Sequence, residues 1–165
     1  MKKTIIIYGS STGTCESIAQ MIGEKLGVAD VVPAADITAD KVAEYDNLIL
    51  GSSTWGDGEL QDDWYDAINE VKAADLSGKT IAIFGCGDSE SYSDTFCDAI
   101  GLLYAEVQES GANLIGAVSA EGYNFSSSNS VVDGIFVGLA LDDVNESDLT
   151  EQRVDNWIAS IKDEL

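Results

Sequence analysis

The chain has 165 residues, 45% of them hydrophobic, and its eight basic against thirty acidic residues give a formal charge of −22. At roughly 150 residues per domain the length fits one domain over residues 1–165, and the apolar content is enough to bury a core, which excludes disorder. The charge repels nucleic acid and anionic membrane surfaces, which removes both as partners.

Lys2 and Lys3 are basic, but the apolar run behind them, Thr4–Tyr8, is too short for a signal peptide, and no stretch approaches the roughly 20 apolar residues of a membrane span. That run is instead the first of five short, β-branched segments, followed by Asp30–Val32, Leu48–Gly51, Thr80–Phe84 and Leu114–Val118. Near-continuous apolar runs such as Ile5-Ile6-Ile7 suit strands buried on both faces, as in a parallel sheet. Between them lie helical spacings. Ile18, Ile22 and Leu26 recur four residues apart, with Gly27 placed to end the helix. Phe96, Ile100, Leu103 and Val107 make a second stripe. Ser119–Ile135 is rich in Ser, Asn and Gly before Phe136–Leu141 returns as an apolar run, so it reads as a surface insertion splitting or following the fifth strand. Val154, Trp157, Ile158, Ile161 and Leu165 make a final helix, with Asp148 as N-cap and Glu151 three residues on. Alternating strands and helices predict a three-layer α/β/α sandwich around a five-stranded parallel sheet.

Cys15, Cys86 and Cys97 lie far apart with no C-x-x-C pair, which reads as reduced thiols in a cytoplasmic protein. The chain lacks histidine, the commonest general base and metal ligand. The acidity serves solubility, or steers the chain onto basic faces of partner proteins.

In a doubly wound sheet, ligands sit at the carboxyl ends of the strands near the switch in strand order. The first strand runs into Gly9-Ser10-Ser11-Thr12-Gly13-Thr14-Cys15-Glu16-Ser17 and directly into a helix. Amides at a helix N-terminus, several hydroxyls and a turn-forming glycine make a phosphate cradle. A P-loop would need lysine after Gly13, and G-x-G-x-x-G is absent. No Lys or Arg lies between Lys3 and Lys25, which disfavours a triphosphate and fits one monophosphate held by neutral donors. The plain alternative is a Ser/Thr-rich capping turn. Two further loops, Gly51–Leu60 and Gly85–Tyr92, are polar and glycine-rich, and carry Trp55 and Tyr92 respectively. With strands one, three and four adjacent, these rings can face each other across a slot for a flat aromatic ligand, each stack contributing about 0.5–1.5 kcal/mol beyond area burial. Taken singly, each ring could equally be an edge-packing residue.

Ser10 to Cys15 resembles the flavodoxin phosphate motif [ST]-x-T-G-x-T; Thr54 to Gln61 resembles the family's first flavin loop, and Gly87-Asp88 through Tyr92 its second. Phe136 to Asp142, with the insertion before it, is similar to the long-chain branch. The resemblance covers essentially the whole chain. It implies strand order 2-1-3-4-5, one bound FMN, no catalysis of its own, and a monomeric carrier of single electrons at low potential. The partners implied are basic faces of ferredoxin-type reductases and oxidoreductases. Carried over by residue, Ser10, Ser11, Thr12, Gly13, Thr14 and Cys15 hold the phosphate. Ser53 and Thr54 lie near the ribityl chain, and Trp55 and Tyr92 lie against the two flavin faces. Gly56, Asp57 and Gly58 form the loop whose peptide turns over on one-electron uptake, glycine tolerating the turn conformations this needs. Cys86, Gly87 and Asp88 bond the ring edge, and Phe96 and Cys97 close the site. Cys15 departs from the family's usual threonine, replacing a hydroxyl with a weak S–H donor and putting about 1 kcal/mol of phosphate binding at stake. A second electron leaves negative charge amid Asp57, Glu59, Asp62, Asp63, Asp88 and Glu90. A carboxylate about 10 Å away, at an effective dielectric near 40, opposes that charge by roughly 0.8 kcal/mol or about 35 mV.

Other readings are weaker. A two-component receiver domain needs paired acids after strand one and a lysine after strand five; Gly9-Ser10-Ser11 stands at the first place, and no lysine lies between Lys79 and Lys162. An FMN-dependent NAD(P)H or quinone reductase must admit its substrate over a flavin face, which Trp55 and Tyr92 would block. A ligand-free interaction module would leave all three loops unexplained.

Overall fold

Ile5, Ile6 and Ile7 have no exposed surface, because their strand runs through the middle of a parallel sheet with both faces covered. The computed structural model describes all 165 residues. In chain order the elements are β1 (Thr4–Gly9), α1 (Thr14–Leu26), β2 (Val31–Pro33), α2 (Ala39–Ala43), β3 (Asn47–Trp55), β4 (Glu59–Leu60), α3 (Trp64–Ala73), β5 (Thr80–Cys86), α4 (Asp98–Val107), β6 (Asn113–Ile115), β7 (Val118–Ser119), β8 (Val131–Val132), β9 (Ile135–Phe136), β10 (Leu139–Leu141) and α5 (Ser147–Ile161).

The central order is β2-β1-β3-β5-β10, all parallel, which is the expected 2-1-3-4-5. The fifth position is shared. β6 pairs with the start of β5, Thr80 facing Asn113, and β10 with its end, Cys86 facing Leu141. The insertion therefore splits the fifth strand. Between the halves, β7, β9 and β8 form a small antiparallel sheet.

Side chains alternate across the sheet with period two, so neighbouring isoleucines serve different cores. Ile5, Ile7, Leu48, Leu50, Ile81 and Ile83 pack beneath α3 and α4, with Trp64, Ile68, Ile100 and Leu103. Ile6, Ile49, Ala82, Phe84, Leu139 and Leu141 pack beneath α1 and α5, with Ile18, Ile22, Val154 and Trp157. The result is the expected three-layer sandwich. Each large buried tryptophan has its indole N–H satisfied: Trp64 donates to the Gly51 carbonyl at 2.8 Å and Trp157 to that of Gly116 at 2.8 Å.

Several boundaries differ from the sequence reading. β3 runs on to Trp55 and β5 to Cys86, so residues expected in loops extend the sheet. α3 and α2 were not anticipated, although Trp64, Ile68 and Val71 carry helical spacing and Thr38 caps α2 by accepting from the Lys41 N–H at 3.2 Å. α4 begins at Asp98 because Cys97 adopts the left-handed conformation, φ 53°, leaving Phe96 outside the helix. The expected capping box of α5 is not made. Glu146 takes the N-cap position without a side-chain bond, because its own N–H already bonds to the Asp142 carbonyl at 2.9 Å and starts the turn earlier. Gly27 does end α1, at φ 74°. The insertion is more than a surface loop: Ser130 has no exposed surface, and Phe125 stacks on Phe96 at 5.4 Å.

Gly51 faces Phe84 across the β3–β5 pair, where an added Cβ would fall 2.0 Å from the phenyl ring. Gly51→Ala is expected to destabilise the fold by about 1–3 kcal/mol through overpacking. A lowered urea midpoint with an unchanged slope would show it; an unchanged midpoint would contradict this packing.

Candidate functional site

The register of the central strands sets Gly9 against Ser52 and Ser52 against Gly85, so the loops leaving β1, β3 and β5 begin at one level on the same sheet edge. Each loop supplies a different kind of group.

The loop after β1 turns through Gly13, φ 94°, which caps α1 without a side-chain bond. The Ser10 hydroxyl shapes this turn by accepting from the Gly13 N–H at 3.1 Å. The amides of Thr14, Cys15 and Glu16 open α1 and have no carbonyl one turn earlier in the helix, while those of Ser11 and Thr12 donate to no protein acceptor. These N–H groups and the positive end of the helix form an anion cradle with no cation in it. Cys15 belongs to the loop only through its backbone. Its side chain is fully buried beneath α1, so the thiol is not a cradle donor.

The loop after β3 is a tight hairpin. Gly58 N–H bonds the Trp55 carbonyl at 3.1 Å and Trp55 pairs with Glu59 on β4, with Gly56 and Gly58 at φ 53° and 88°. The Trp55 indole is held by donation to the Ser53 hydroxyl at 2.7 Å. The Thr54 hydroxyl accepts from the Ala99 N–H at 3.2 Å, fixing the strand end against α4.

The loop after β5 is built around Asp88. Its Oδ1 accepts from the Ser91 N–H at 3.0 Å, the Asn145 side chain at 2.8 Å and the Glu90 N–H at 3.2 Å. The Ser91 amide, and after it the Asn145 amide, hold the Asp88 carboxyl below the usual carboxylate range. The Asp88 carbonyl in turn accepts from the Tyr92 N–H at 2.9 Å.

Together the loops enclose a slot of about 200 Å³. That is below the roughly 300–1,000 Å³ of pockets that engulf a ligand. Of the residues singled out in the sequence, Thr12, Thr14, Ser53, Thr54, Trp55, Gly56, Cys86, Gly87, Asp88, Tyr92 and Cys97 line it. Ser10, Ser11, Gly13 and Cys15 shape the cradle beside it, and Asp57 and Gly58 complete the hairpin without lining it. Phe96 does not line it, because the turn at Cys97 directs that ring into the aromatic cluster with Tyr123, Phe125 and Phe136.

Thr95, Asp143 and Val144 line the slot unforeseen. The last two follow β10, whose place at the edge depends on the split fifth strand. Gln61 was also passed over as a site residue. Buried at the foot of the hairpin, it donates from Nε2 to the Ser11 hydroxyl at 3.1 Å and from its backbone N–H to the Ser52 hydroxyl at 3.1 Å, tying the cradle to the second loop. A glutamine following a hairpin of small residues was the available signal.

Because the folded carboxyl of Asp88 ionises more readily than an unfolded one near 3.9, its contribution is present above that pH and is lost as pH falls through the lower folded value. Asp88→Ala is expected to cost about 1 kcal/mol at neutral pH. Chemical denaturation of both proteins from pH 7 downward should show the gap closing below about pH 4; a gap that widens in acid would contradict the assignment.

The flavodoxin family model matches residues 6–157. A flavodoxin of a Nostoc species is 42% identical, the alignment covering 99% of this chain and 98% of the relative, and flavodoxin 1 of Escherichia coli is 42% identical over 100% and 96%. Among solved structures, a Fusobacterium nucleatum flavodoxin bound to flavin mononucleotide superposes with a TM-score of 0.92 at 30% identity, covering 100% of this chain and 99% of the other. With fold, loop chemistry and full-length similarity in agreement, the chain belongs to the flavodoxin family.

Proposed function

We propose that the slot holds one FMN and that the chain, as a single domain, carries single electrons at low potential between redox enzymes without a reaction of its own. One observation carries this reading: a cradle of unpaired helix-N-terminal amides opens into a slot bearing two aromatic side chains from two further loops. The residues present fit FMN. The amides of Ser11, Thr12, Thr14, Cys15 and Glu16, with the hydroxyls of Thr12 and Thr14, suit one phosphate dianion. Ser53 and Thr54 would hold the ribityl chain. Trp55 and Tyr92 would cover the ring, and Cys86, Gly87 and Asp88 would bond its polar edge.

When bound, the flavin supplies the one-electron chemistry. The protein's residues set its conditions. Trp55 is 40% exposed and Tyr92 55%, so they exclude water from the ring faces while leaving an edge near the surface for electron exchange. Gly56 and Gly58 keep the hairpin in left-handed conformations that a side chain would strain. Asp57, Glu59 and Asp62 are exposed on the same rim, where they oppose added negative charge and attract basic faces of partner enzymes. A reductase that admits NAD(P)H or a quinone is the weaker reading, because Trp55 and Tyr92 occupy the faces such a substrate needs. The three free thiols suit a reducing, cytoplasmic compartment, and no helix is long and apolar enough to cross a membrane.

Titration with FMN should quench flavin fluorescence at one equivalent, and stepwise anaerobic reduction should produce a distinct half-reduced spectrum with no oxidation of added NAD(P)H. Absence of uptake would overturn the reading; direct bleaching by NAD(P)H would favour the reductase. Gly13→Ala adds a Cβ that meets nothing within 4 Å, so its cost is backbone strain alone, φ being 94°. About 1–2 kcal/mol of stability is expected to be lost, seen as a lowered urea midpoint; an unchanged midpoint would refute the left-handed turn that shapes the cradle. Electron transfer to a basic partner should slow as ionic strength rises, and the slope should flatten in the triple variant Asp57→Asn, Glu59→Gln, Asp62→Asn, as stopped-flow measurements can test.

A further inference from the structure

Cys15, Cys86 and Cys97 are free thiols that meet beneath the slot from three elements: the first turn of α1, the end of β5 and the turn before α4. Phosphate cradling and ring stacking use none of the three sulfurs. Their surroundings differ. Cys86 lines the slot and keeps 6% of its surface, whereas Cys15 and Cys97 have none. Cys15 packs in the same core cluster as Cys86, on the α1 and α5 side of the sheet, whereas Cys97 belongs to the cluster on the α3 and α4 side. Cys97 also borders the slot, but its Sγ faces backbone carbonyls, Leu141 at 3.7 Å and Gly85 at 3.9 Å.

We propose that Cys86 is an oxidisable thiol on the floor of the slot, modified by peroxide in the cofactor-free protein and then joined to Cys15 as a disulfide. The route conserves atoms and electrons. The Cys86 sulfur attacks one peroxide oxygen, the O–O bond breaks, and Cys86 sulfenic acid and one water result. The Cys15 sulfur then attacks the sulfenic sulfur, the S–O bond breaks, and the hydroxide leaves with the Cys15 proton as a second water. Two thiols are oxidised by two electrons and one peroxide is reduced to two waters. The order follows from access, since only Cys86 offers surface to the slot. Cys15, with no exposed surface, cannot meet peroxide first and so acts second. Burial pushes the Cys97 thiol well up, and its carbonyl contacts leave it out of the exchange.

The disulfide would tie the end of β5 to the start of α1, below both the cradle and the ring site. A bound FMN would cover Cys86, making its oxidation a marker of the unfilled protein, reversible by a dithiol. This protection rests on the proposed function; the Cys15–Cys86 pairing does not.

The test is peptide mass spectrometry of the full-length protein after hydrogen peroxide, with and without FMN, binding being followed separately by fluorescence. Cofactor-free protein should lose two hydrogens and give a Cys15–Cys86 cross-linked peptide. With FMN at about 100 times its Kd only about one molecule in a hundred is unfilled, so oxidation should slow roughly a hundredfold. Cys15→Ser should stop at a sulfenic acid that dimedone captures on residue 86, and Cys97→Ser should still cross-link. Three unmodified thiols in cofactor-free protein, or a cross-link from Cys86 to Cys97, would overturn the proposal, as would undiminished oxidation when fluorescence shows FMN bound. Unquenched fluorescence together with a Cys15–Cys86 cross-link would sink the flavin reading alone.

Discussion

Everything in this site depends on how β1, β3 and β5 align. Gly9, Ser52 and Gly85 lie in one row across the three strands, so three loops of unlike chemistry start at the same height. A slip of one residue would send every side chain of a strand to the other face. Burial forbids it: Ile5 and Ile7 serve one core and Ile6 the other, and both cores are covered by helices. The register that buries the isoleucines is thus the register that assembles the slot. The row is also made of small residues. A Cβ on Gly9 would meet Gln61 and Trp64 at 2.6 Å, and one on Gly85 would meet Ile100 at 2.6 Å, so helices and hairpin close on the sheet edge only because those positions are bare.

The electrostatics of the site follow from what surrounds that edge. Among the basic side chains, Lys25 is paired with Glu151 and Asp155, Lys72 with Glu106 and Arg153 with Glu146. None lines the slot. The cradle therefore presents only amides and the helix dipole, which are fixed in place and need no reorganisation when a charge arrives. The rim has the opposite character. The cradle offers only neutral donors, while Asp88 and Asp143 line the slot itself.

The insertion does structural work for the same site. Ser130 donates to the Cys97 carbonyl at 2.6 Å and accepts from the Gly101 N–H at 2.7 Å, and Asn129 N–H donates to the buried Asp98 at 2.7 Å. These bonds hold the left-handed turn at Cys97, which sets where α4 begins and where Thr95 and Cys97 face the slot. Splitting the fifth strand also delivers β10 against the end of β5. From there Asp142 receives the Ser89 hydroxyl and Asn145 reaches Asp88, so the loop carrying Tyr92 is braced from the strand beside it.

Much of this was legible in the chain itself. Continuous apolar runs announced buried parallel strands, spacings of three and four announced α1 and α5, and the glycine- and hydroxyl-rich stretches after strands one, three and four marked the loops, because these are local consequences of period and backbone freedom. Boundaries were less legible. β3 continues through Ser52 to Trp55 because β4 returns to pair with it, and α5 starts early because the turn after β10 feeds it. The fates of single side chains were not legible at all. Phe96 reads as a site residue by position yet packs in the core, Cys15 reads as a phosphate donor yet its thiol is buried beside Cys86, and Val144 reads as nothing yet borders the slot. By itself the sequence determined the layers and the chemistry of each loop, since those follow from residue type and spacing. Only the tertiary structure decided which side chains face the slot and which face the cores, because that depends on pairings between segments tens of residues apart.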